Sequence, residues 1–161
     1  MNLNPFAQEP KPNDIQNGAF FSPSDECLNA IINFIHSAQK SLKVCVFTIS
    51  DDRISRALLA AFEKGIQLQL LTDNEKLFDK GSDIRELAAA GLEIRVDNTK
   101  NHMHHKFALA DNGHVLTGSY NWTRSAALYN HENVLITSEK LVVADYAQEF
   151  NRLWAEMEPL A

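Results

Sequence analysis

The chain of 161 residues is long enough for one domain with a hydrophobic core, and its 45% hydrophobic and 22% charged residues are ordinary for a globular protein. Its formal net charge of -6 argues against a protein that coats nucleic acid over its whole surface, because such binding depends on many Lys and Arg contacts to phosphates. No run reaches the roughly 18 apolar residues of a membrane span, and the polar start of the chain is unlike a signal peptide.

Helices and strands are expected to alternate from Phe20 to Val96. Hydrophobic spacing and capping residues predict helices from Ser22 to about Gln39, from Asp51 or Asp52 to Gly65, and from Ser82 or Asp83 to Gly91. Other segments predict strands over 42–49, 66–71 and 92–96. The first of these strands is apolar on both faces, apart from Lys43, which is typical of a strand buried between two helical layers.

The pattern changes after Asp97. Segments 106–110 and 114–117 flank Asp111-Asn112-Gly113, a strong hairpin signal, so two antiparallel strands are expected to join the sheet. A short helix over 122–128, a strand over 133–136 and a final helix from Ser138 complete the prediction. We expect an α/β fold with a mixed β-sheet sandwiched between helices. It forms a single domain over residues 19–158, preceded by a flexible N-terminal arm over residues 1–18.

Polar side chains between positions 104 and 132 include the groups that cleavage of a phosphodiester requires. This reaction needs a nucleophile, donors for the non-bridging oxygens and an acid for the leaving alkoxide. His104 is the candidate nucleophile if a carboxylate orients its ring, and Glu132 is the candidate for that role. Lys106, on the same face of an extended strand as His104, and Asn121 are candidates for binding the phosphate oxygens. Ser119 could add a hydroxyl contact to the same phosphate.

The motif His104-x-Lys106, followed by four residues and Asp111, and the segment Gly118-Ser119-x-Asn121 resemble the signature of the phospholipase D superfamily. The resemblance is to the branch with one motif per chain, which includes bacterial nucleases, the mitochondrial cardiolipin hydrolase and piRNA-pathway nucleases. Segments 118–123 and 131–136 strengthen this placement, and the resemblance spans residues from about Phe20 to Trp154.

The resemblance implies a phospholipase D-like fold and a reaction that passes through a phosphohistidine on His104. It also implies that Lys106 and Asn121 bind phosphate, that Glu132 steadies the histidine, and that neither a metal nor another cofactor takes part. We interpret Asp111, at the hairpin turn, as a structural residue that could pair with a basic residue.

One histidine cannot easily serve both sides of the phosphorus atom. In-line displacement places the attacking nitrogen and the leaving oxygen on opposite sides, so a second histidine is needed as the acid. Because the chain has no second copy of the motif, we expect a two-fold homodimer in which His104 of each subunit reaches one shared active site. The family resemblance implies the same assembly.

A zinc site is one alternative interpretation of the same segment. His102, His104 and His105 with Asp111 could bind zinc, since histidines two residues apart on a strand share a face. This interpretation places the ammonium group of Lys106 on the ligand face, where it would repel the metal.

Two further alternatives concern the class of protein. A serine hydrolase could combine Ser119, a histidine and Glu132, but the chain lacks the Gly-x-Ser-x-Gly elbow of such enzymes. A catalytically idle phosphate-binding module could keep the fold without the reaction. It is disfavoured because every role that the reaction requires has a candidate residue.

The substrate is predicted less directly than the reaction. Around the motif, Lys100, Lys106 and Arg124 outnumber Asp111, which favours an endonuclease acting on DNA or RNA with little sequence preference. The acidic overall charge and the lipid-cleaving relatives favour the alternative, a phospholipase D that cleaves phospholipid headgroups. The two cysteines form no disulfide framework, so we expect a reducing compartment, the cytoplasm.

Overall fold

The computed structural model of the chain describes residues 15–160, so residues 1–14 of the expected N-terminal arm lie outside the described residues. The strands are β1 Gly18–Phe21, β2 Ser41–Val46, β3 Ile49–Ser50, β4 Gln67–Thr72, β5 Glu93–Val96, β6 Lys106–Ala110, β7 His114–Gly118, β8 Trp122–Thr123, β9 Asn133–Thr137 and β10 Glu158–Pro159. The α-helices are α1 Glu26–Ser37, α2 Asp52–Glu63, α3 Ile84–Ala89, α4 Arg124–Leu128 and α5 Lys140–Glu156. A short 3-10 helix, which the sequence analysis did not predict, spans Glu75–Phe78.

Eight of the strands form one mixed sheet in the order β1-β9-β7-β6-β2-β4-β5-β10. Strands β2, β4 and β5 are parallel, whereas β6, β7, β9 and β1 are antiparallel to their neighbours. One face of the sheet packs on α1, α2 and α3, and the other packs on α5. The expected mixed sheet between helical layers is therefore confirmed. No helix within residues 15–160 combines the length and apolar character needed to cross a membrane.

The predicted strand over 42–49 is correct as far as Val46 and wrong beyond it. Strand β2 ends at Val46, and Ile49 and Ser50 pair instead with β8 in a separate two-stranded sheet. Between them, the backbone N–H of Phe47 donates to the carbonyl of His105 at 2.9 Å. The apolar run continues unbroken through this change of partner, so hydrophobicity alone could not mark it. As a consequence, the ring of Phe47 leaves the sheet beside the start of β6, next to His104.

The predicted start of the first helix is also wrong, because α1 begins at Glu26 rather than after Ser22. The hydroxyl group of Ser22 does not cap the helix. It donates to the carbonyl of Asn130 at 2.8 Å and accepts from the backbone N–H of Glu132 at 3.1 Å. Ser22 thus ties the start of α1 to the loop that precedes β9.

The hairpin between β6 and β7 is confirmed, and Asp111 and Asn112 adopt the positive φ angles that its tight turn requires. The carboxylate of Asp111 accepts backbone N–H bonds from Gln39 at 2.9 Å, Lys40 at 2.7 Å and Ser41 at 2.9 Å. Burial acts to raise the pKa of Asp111, but these bonds outweigh it and hold the pKa below its usual range. The carboxylate of Asp111 thus binds backbone amides in place of the basic side chain that we considered.

Gly118 ends β7 at a point where β9 comes unusually close. A Cβ atom at this position would lie 2.0 Å from the carbonyl oxygen of Asn133, a backbone atom that cannot move away alone. The glycine of the Gly-Ser-x-Asn segment is therefore required by the packing of two strands, immediately before Ser119.

We expect the substitution Gly118→Ala to force β7 and β9 apart and to lower the free energy of unfolding by about 1–3 kcal/mol. Gly113→Ala is the matched control, because a Cβ atom there meets nothing closer than the Ala110 carbonyl oxygen at 3.9 Å. Chemical denaturation of both variants measures the difference. Equal stability of the two variants would contradict the close approach.

Candidate active site

The candidate residues meet at one end of the sheet. Lys106 is the first residue of β6, Ser119 follows the last residue of β7, and Glu132 precedes the first residue of β9. Because β6 and β9 are both antiparallel to β7, the start of β6, the end of β7 and the start of β9 lie at the same end. The strand pairing therefore brings together side chains that are distant in the chain.

The Lys106 ammonium group lies directly beside the imidazole of His104. Its Nζ atom is 3.2 Å from Nδ1 and 3.4 Å from Nε2 of His104, and it donates to the backbone carbonyl of His104 at 2.7 Å. His104 lies just before β6, and its expected proximity to Lys106 is found. A phosphate that reached the imidazole would therefore meet a cation at the same point.

The protonation of this pair favours a nucleophilic histidine. Burial and the adjacent Lys106 ammonium hold the pKa of His104 below its usual range. Burial also lowers the pKa of Lys106, whereas the nearby Glu132 carboxylate acts in the opposite direction. The imidazole therefore favours its neutral form, in which one ring nitrogen has the free lone pair that attack on phosphorus requires.

Glu132 occupies the site but does not orient His104 within the chain. Its carboxylate accepts a short hydrogen bond from the hydroxyl of Ser119 and a 3.1 Å bond from the side-chain amide of Asn130. The Ser119 hydroxyl in turn accepts from the backbone N–H of Asn133 at 3.1 Å. Among residues 15–160, the ring nitrogens of His104 contact only Lys106. A contact from Ser119 to phosphate would require its bond with Glu132 to break.

Asn121 lies just before β8, and its Oδ1 atom is buried without a hydrogen-bond partner among the described residues. Because this atom is shielded from solvent and Asn121 is not among the residues that line the first cavity, the expected contact between its amide and phosphate stays a prediction.

Two site residues, Phe47 and Asp73, were missed by the sequence analysis. The ring of Phe47 lies between two imidazoles, with centroid distances of 5.3 Å to His102 and 4.7 Å to His104. The carboxylate of Asp73, which is fully buried, lies 3.2 Å from Nδ1 of His102 and accepts from the backbone N–H of Met103 at 2.9 Å. Phe47 and Asp73 follow the carboxyl ends of β2 and β4, a position at which α/β proteins commonly place functional groups, and this signal could have identified them.

The alternative zinc cluster of the sequence analysis is not formed among the described residues. Asp111 lies beyond the far end of β6 from the histidines, where its carboxylate binds backbone amides. Within the described part of the chain, the trio that could hold a metal consists of Asp73, Glu75 and His102, with ligand atoms within 4.8 Å of one another. Asp73 already accepts backbone amides from Glu75 and Met103, so this trio has a structural role without a metal.

The serine hydrolase arrangement is likewise not assembled. The hydroxyl of Ser119 is bound by Glu132 and Asn133, and no imidazole is among its hydrogen-bond partners in residues 15–160. Without a histidine to remove its proton, the hydroxyl of Ser119 is not activated as a nucleophile.

Two cavities meet at the histidines. The first, of about 600 Å³, includes His104, Lys106 and Ser119 in its wall. The second, of about 470 Å³, lies between the loop that precedes β6 and α5, and includes His102 and His104. His104 and His105 line both cavities.

Comparison with known proteins identifies the same motif region. Residues 31–154 match the family model described as "Cardiolipin synthase, PLD-like domain". The mitochondrial cardiolipin hydrolase of Xenopus tropicalis is 42% identical over 136 residues, which cover 84% of this chain and 65% of that protein. Its namesake from Chlamydomonas reinhardtii is 40% identical over 134 residues, covering 83% and 60%. The chain therefore spans less than two thirds of the length of these curated relatives.

Solved structures show the same fold. Nuc from Salmonella typhimurium, described as a phospholipase D family member, superposes with a TM-score of 0.83 at 22% identity, covering 90% of this chain and 97% of Nuc. NucT from Helicobacter pylori gives a TM-score of 0.81 at 24% identity, covering 90% and 99%. The chain belongs to the phospholipase D superfamily, in the branch with one motif per chain, as the motif around His104 predicted.

We expect the substitution Lys106→Met to raise the pKa of His104, because it removes the cation that opposes protonation of the ring. NMR titration of the histidine ring signals measures this pKa in the wild-type protein and the variant. Lys43→Met removes a lysine that contacts Asn151 instead of the site, and it serves as the control. A His104 pKa that is unchanged by Lys106→Met would contradict the electrostatic coupling.

Proposed function

We propose that this chain is a metal-independent phosphodiesterase that acts through a phosphohistidine on His104. The observation that carries the proposal is the contact between the imidazole of His104 and the ammonium of Lys106, 3.2 Å from Nδ1 to Nζ. It combines a neutral nucleophile with a cation for the charge on phosphate oxygens. The family membership of the chain supports the same reaction.

In the first step, a ring nitrogen of His104 attacks phosphorus, a nitrogen–phosphorus bond forms, and the bond to the leaving oxygen breaks. Lys106 and Asn121 bind the non-bridging oxygens, on which negative charge increases. The leaving alkoxide takes a proton from a protonated His104 on the opposite side. In the second step, water attacks phosphorus, that second histidine accepts the proton of the water, and the bond to the first histidine breaks.

The second histidine comes from another copy of the chain. A partly uncovered apolar patch next to the site, formed by Phe21 and Leu135, supports this homodimer. Helix α5 covers Thr117 of β7, whose hydroxyl accepts a hydrogen bond from Tyr146 at 3.1 Å. Leu135, which pairs with Thr117 on the neighbouring strand, is 45% exposed, and Phe21 is 59% exposed. Burial of these side chains against a second copy removes apolar surface from water. The patch is also close in the chain to Glu132, because Glu132 immediately precedes β9, the strand that carries Leu135.

We favour nucleic acid as the substrate, cut internally and with little sequence preference. The two cavities that both border His104 support an endonuclease, because an internal phosphodiester has a polymer on both sides. The only lysine in the wall of the first cavity is Lys106, next to the position of the reacting phosphate. Such a site contacts phosphate rather than base edges, which gives affinity without much sequence information.

A phospholipase D that cleaves cardiolipin or another phospholipid is the second candidate. It is favoured by the names of the curated relatives, which are cardiolipin hydrolases and, at 32% identity over 130 residues, the phospholipase D of Rickettsia bellii. The exposed side chains of Leu128 and Tyr129, in and after α4, provide apolar surface that could contact lipid.

The cytoplasmic location stays a prediction. Cys27 and Cys45 are buried free thiols, as a reducing compartment allows. The relatives from Xenopus tropicalis and Chlamydomonas reinhardtii carry mitochondrial names, which favour a different compartment. Fractionation of cells that express the tagged protein distinguishes the two.

We expect His104→Ala to abolish phosphodiesterase activity, by about 1000-fold or more, because the nucleophile of the first step is lost. The wild-type protein should remain active in EDTA. Single-stranded DNA, RNA, duplex DNA, cardiolipin and phosphatidylcholine, offered in parallel without added metal, identify the substrate. His36→Ala is the matched control, since His36 is an exposed residue in the last turn of α1.

Four outcomes would contradict parts of this proposal. Retained activity in His104→Ala would exclude the phosphohistidine. Loss of activity in EDTA would support metal catalysis, and turnover of lipid alone would replace the nuclease with the phospholipase. A folded wild-type protein that turns over none of these substrates would favour the catalytically idle phosphate-binding module.

We expect Leu135→Lys to shift the protein from dimer to monomer and to reduce its activity in parallel, because a charge would be buried in the interface. Light scattering coupled to size exclusion measures the mass, and the same fractions are assayed. Leu141→Lys is the control, because Leu141 is 75% exposed at the start of α5, away from the site. A fully active monomer would contradict the shared active site.

A further inference from the structure

The ring of Phe47 lies among four side chains that carry or can acquire a positive charge. The imidazoles of His102 and His104 have their centroids 5.3 Å and 4.7 Å from the centroid of this ring. The ammonium nitrogens of Lys76 and Lys106 lie over the ring, 4.9 Å and 5.5 Å from its centroid. The faces of an aromatic ring are electrically negative, and a cation within about 6 Å of the centroid is attracted to them. Phe47 therefore offers a negative surface at the point where His104 and Lys106 meet.

The two ammonium groups over this ring differ in their other partners. Lys76 forms an ion pair with Asp79 at 2.8 Å. Within residues 15–160, Lys106 forms no ion pair, and its hydrogen-bond contacts are all with the carbonyl and the ring of His104. Buried charges are usually paired, and Lys106 is partly buried. The face of Phe47, together with the carbonyl of His104, thus takes the place of a contacting carboxylate.

The position of this ring is fixed through the backbone of Phe47. Its N–H donates to the carbonyl of His105 at 2.9 Å, and its carbonyl accepts from the hydroxyl of Thr72, a buried residue, at 3.1 Å. The first bond joins Phe47 to the loop before β6, and the second joins it to the end of β4. A ring held from two sides restrains the side chains that pack against it. This restraint matters because no carboxylate within residues 15–160 contacts the imidazole of His104.

We propose that Phe47 is a positioning residue of the active site: its ring holds the ammonium of Lys106 beside the imidazole of His104 and widens the pH range over which that ammonium stays charged. This inference rests on the proposed phosphodiesterase activity. A neutral lysine cannot balance the charge on phosphate oxygens, so loss of the negative face of the ring should lower the pH above which activity is lost. The other titratable groups around this pair, which the test leaves unchanged, are His102, His105, Asp73, Lys76 and Glu132.

Replacement of Phe47 by phenylalanines with one, two and three ring fluorines tests the electrostatic effect, because each fluorine weakens the negative face while the shape of the ring is nearly kept. NMR titration of the lysine side-chain signals measures the pKa of Lys106 without substrate. We expect this pKa to fall stepwise, by about 0.5 to 1 pH unit over the series. Phe47→Leu, which keeps apolar bulk, should lower the pKa similarly, and Phe47→Tyr, which keeps an aromatic face, should restore it.

The pH profile of kcat/KM, measured on a phosphodiester that the wild-type protein turns over, tests the link to the reaction. Above the pKa of Lys106, activity should fall by up to about tenfold across the fluorine series, the factor that corresponds to one pH unit. At neutral pH, where the ammonium is charged in every variant, activity should stay close to that of the wild type. A merely structural defect would instead lower activity at every pH.

The same fluorinated residues at Phe150 of α5 are the matched control. The ammonium nitrogen of Lys43 lies 5.5 Å from the centroid of Phe150, the same distance as that of Lys106 from the centroid of Phe47. Neither Lys43 nor Phe150 lines the two cavities that meet at the histidines. Fluorination of Phe150 should therefore leave both the pKa of Lys106 and the pH profile unchanged.

A pKa of Lys106 that is the same throughout the Phe47 series would overturn the positioning role. A pKa that falls stepwise while the alkaline limb of the pH profile stays in place would overturn it as well. Both results would leave the phosphodiesterase standing. A wild-type protein that turns over no phosphodiester would overturn the proposed function and the positioning role together, whatever the titration shows.

Discussion

The antiparallel pairing of β6, β7 and β9 is the constraint on which the site depends. It places the start of β6, the end of β7 and the start of β9 at one end of the sheet, so that Lys106, Ser119 and Glu132 become neighbours. Two residues, one at each end of the β6–β7 hairpin, maintain this register. Gly118 permits the close approach of β9 to β7, and Asp111 ties the opposite end of the hairpin to the backbone between α1 and β2. The motif aspartate and glycine thus hold in place the strands that carry the site residues.

The contact between the ammonium group of Lys106 and the imidazole of His104 is unfavourable for a protonated ring, and this effect bears on the chemistry of the site. An ammonium group beside an imidazole opposes protonation of the ring, and partial burial acts in the same direction. Lys106 therefore favours the neutral form of His104, and we propose that it binds the phosphate of the substrate. The same property leaves the chain without a protonated group for the leaving oxygen, and we propose that a second copy supplies it. Glu132, bound by Ser119 and Asn130, lies near Lys106 and supports its charge.

The fold class, the hairpin and the roles proposed for His104, Lys106 and Asp111 could be predicted because their signals are local. A tight turn and a motif with fixed spacing each lie within a few residues, and the family resemblance added the fold. The break of the first strand at Phe47 could not be predicted, because its two halves are equally apolar and only the partner strand changes. The pairing of Glu132 with Ser119 rather than His104, and the Asp73–His102 contact, depend on side-chain directions across neighbouring strands, which one sequence does not encode in its spacing.

The covalent intermediate on His104 is the central claim of this account, and trapping it is the most direct test. The protein is mixed with a substrate that it turns over, quenched within milliseconds in alkaline denaturant to preserve the phosphorus–nitrogen bond, digested and examined by mass spectrometry. The account predicts one modified peptide, with the phosphoryl group of the substrate on His104 and none in His104→Ala. A modification on another residue, or turnover with inversion at phosphorus and no covalent adduct, would contradict it.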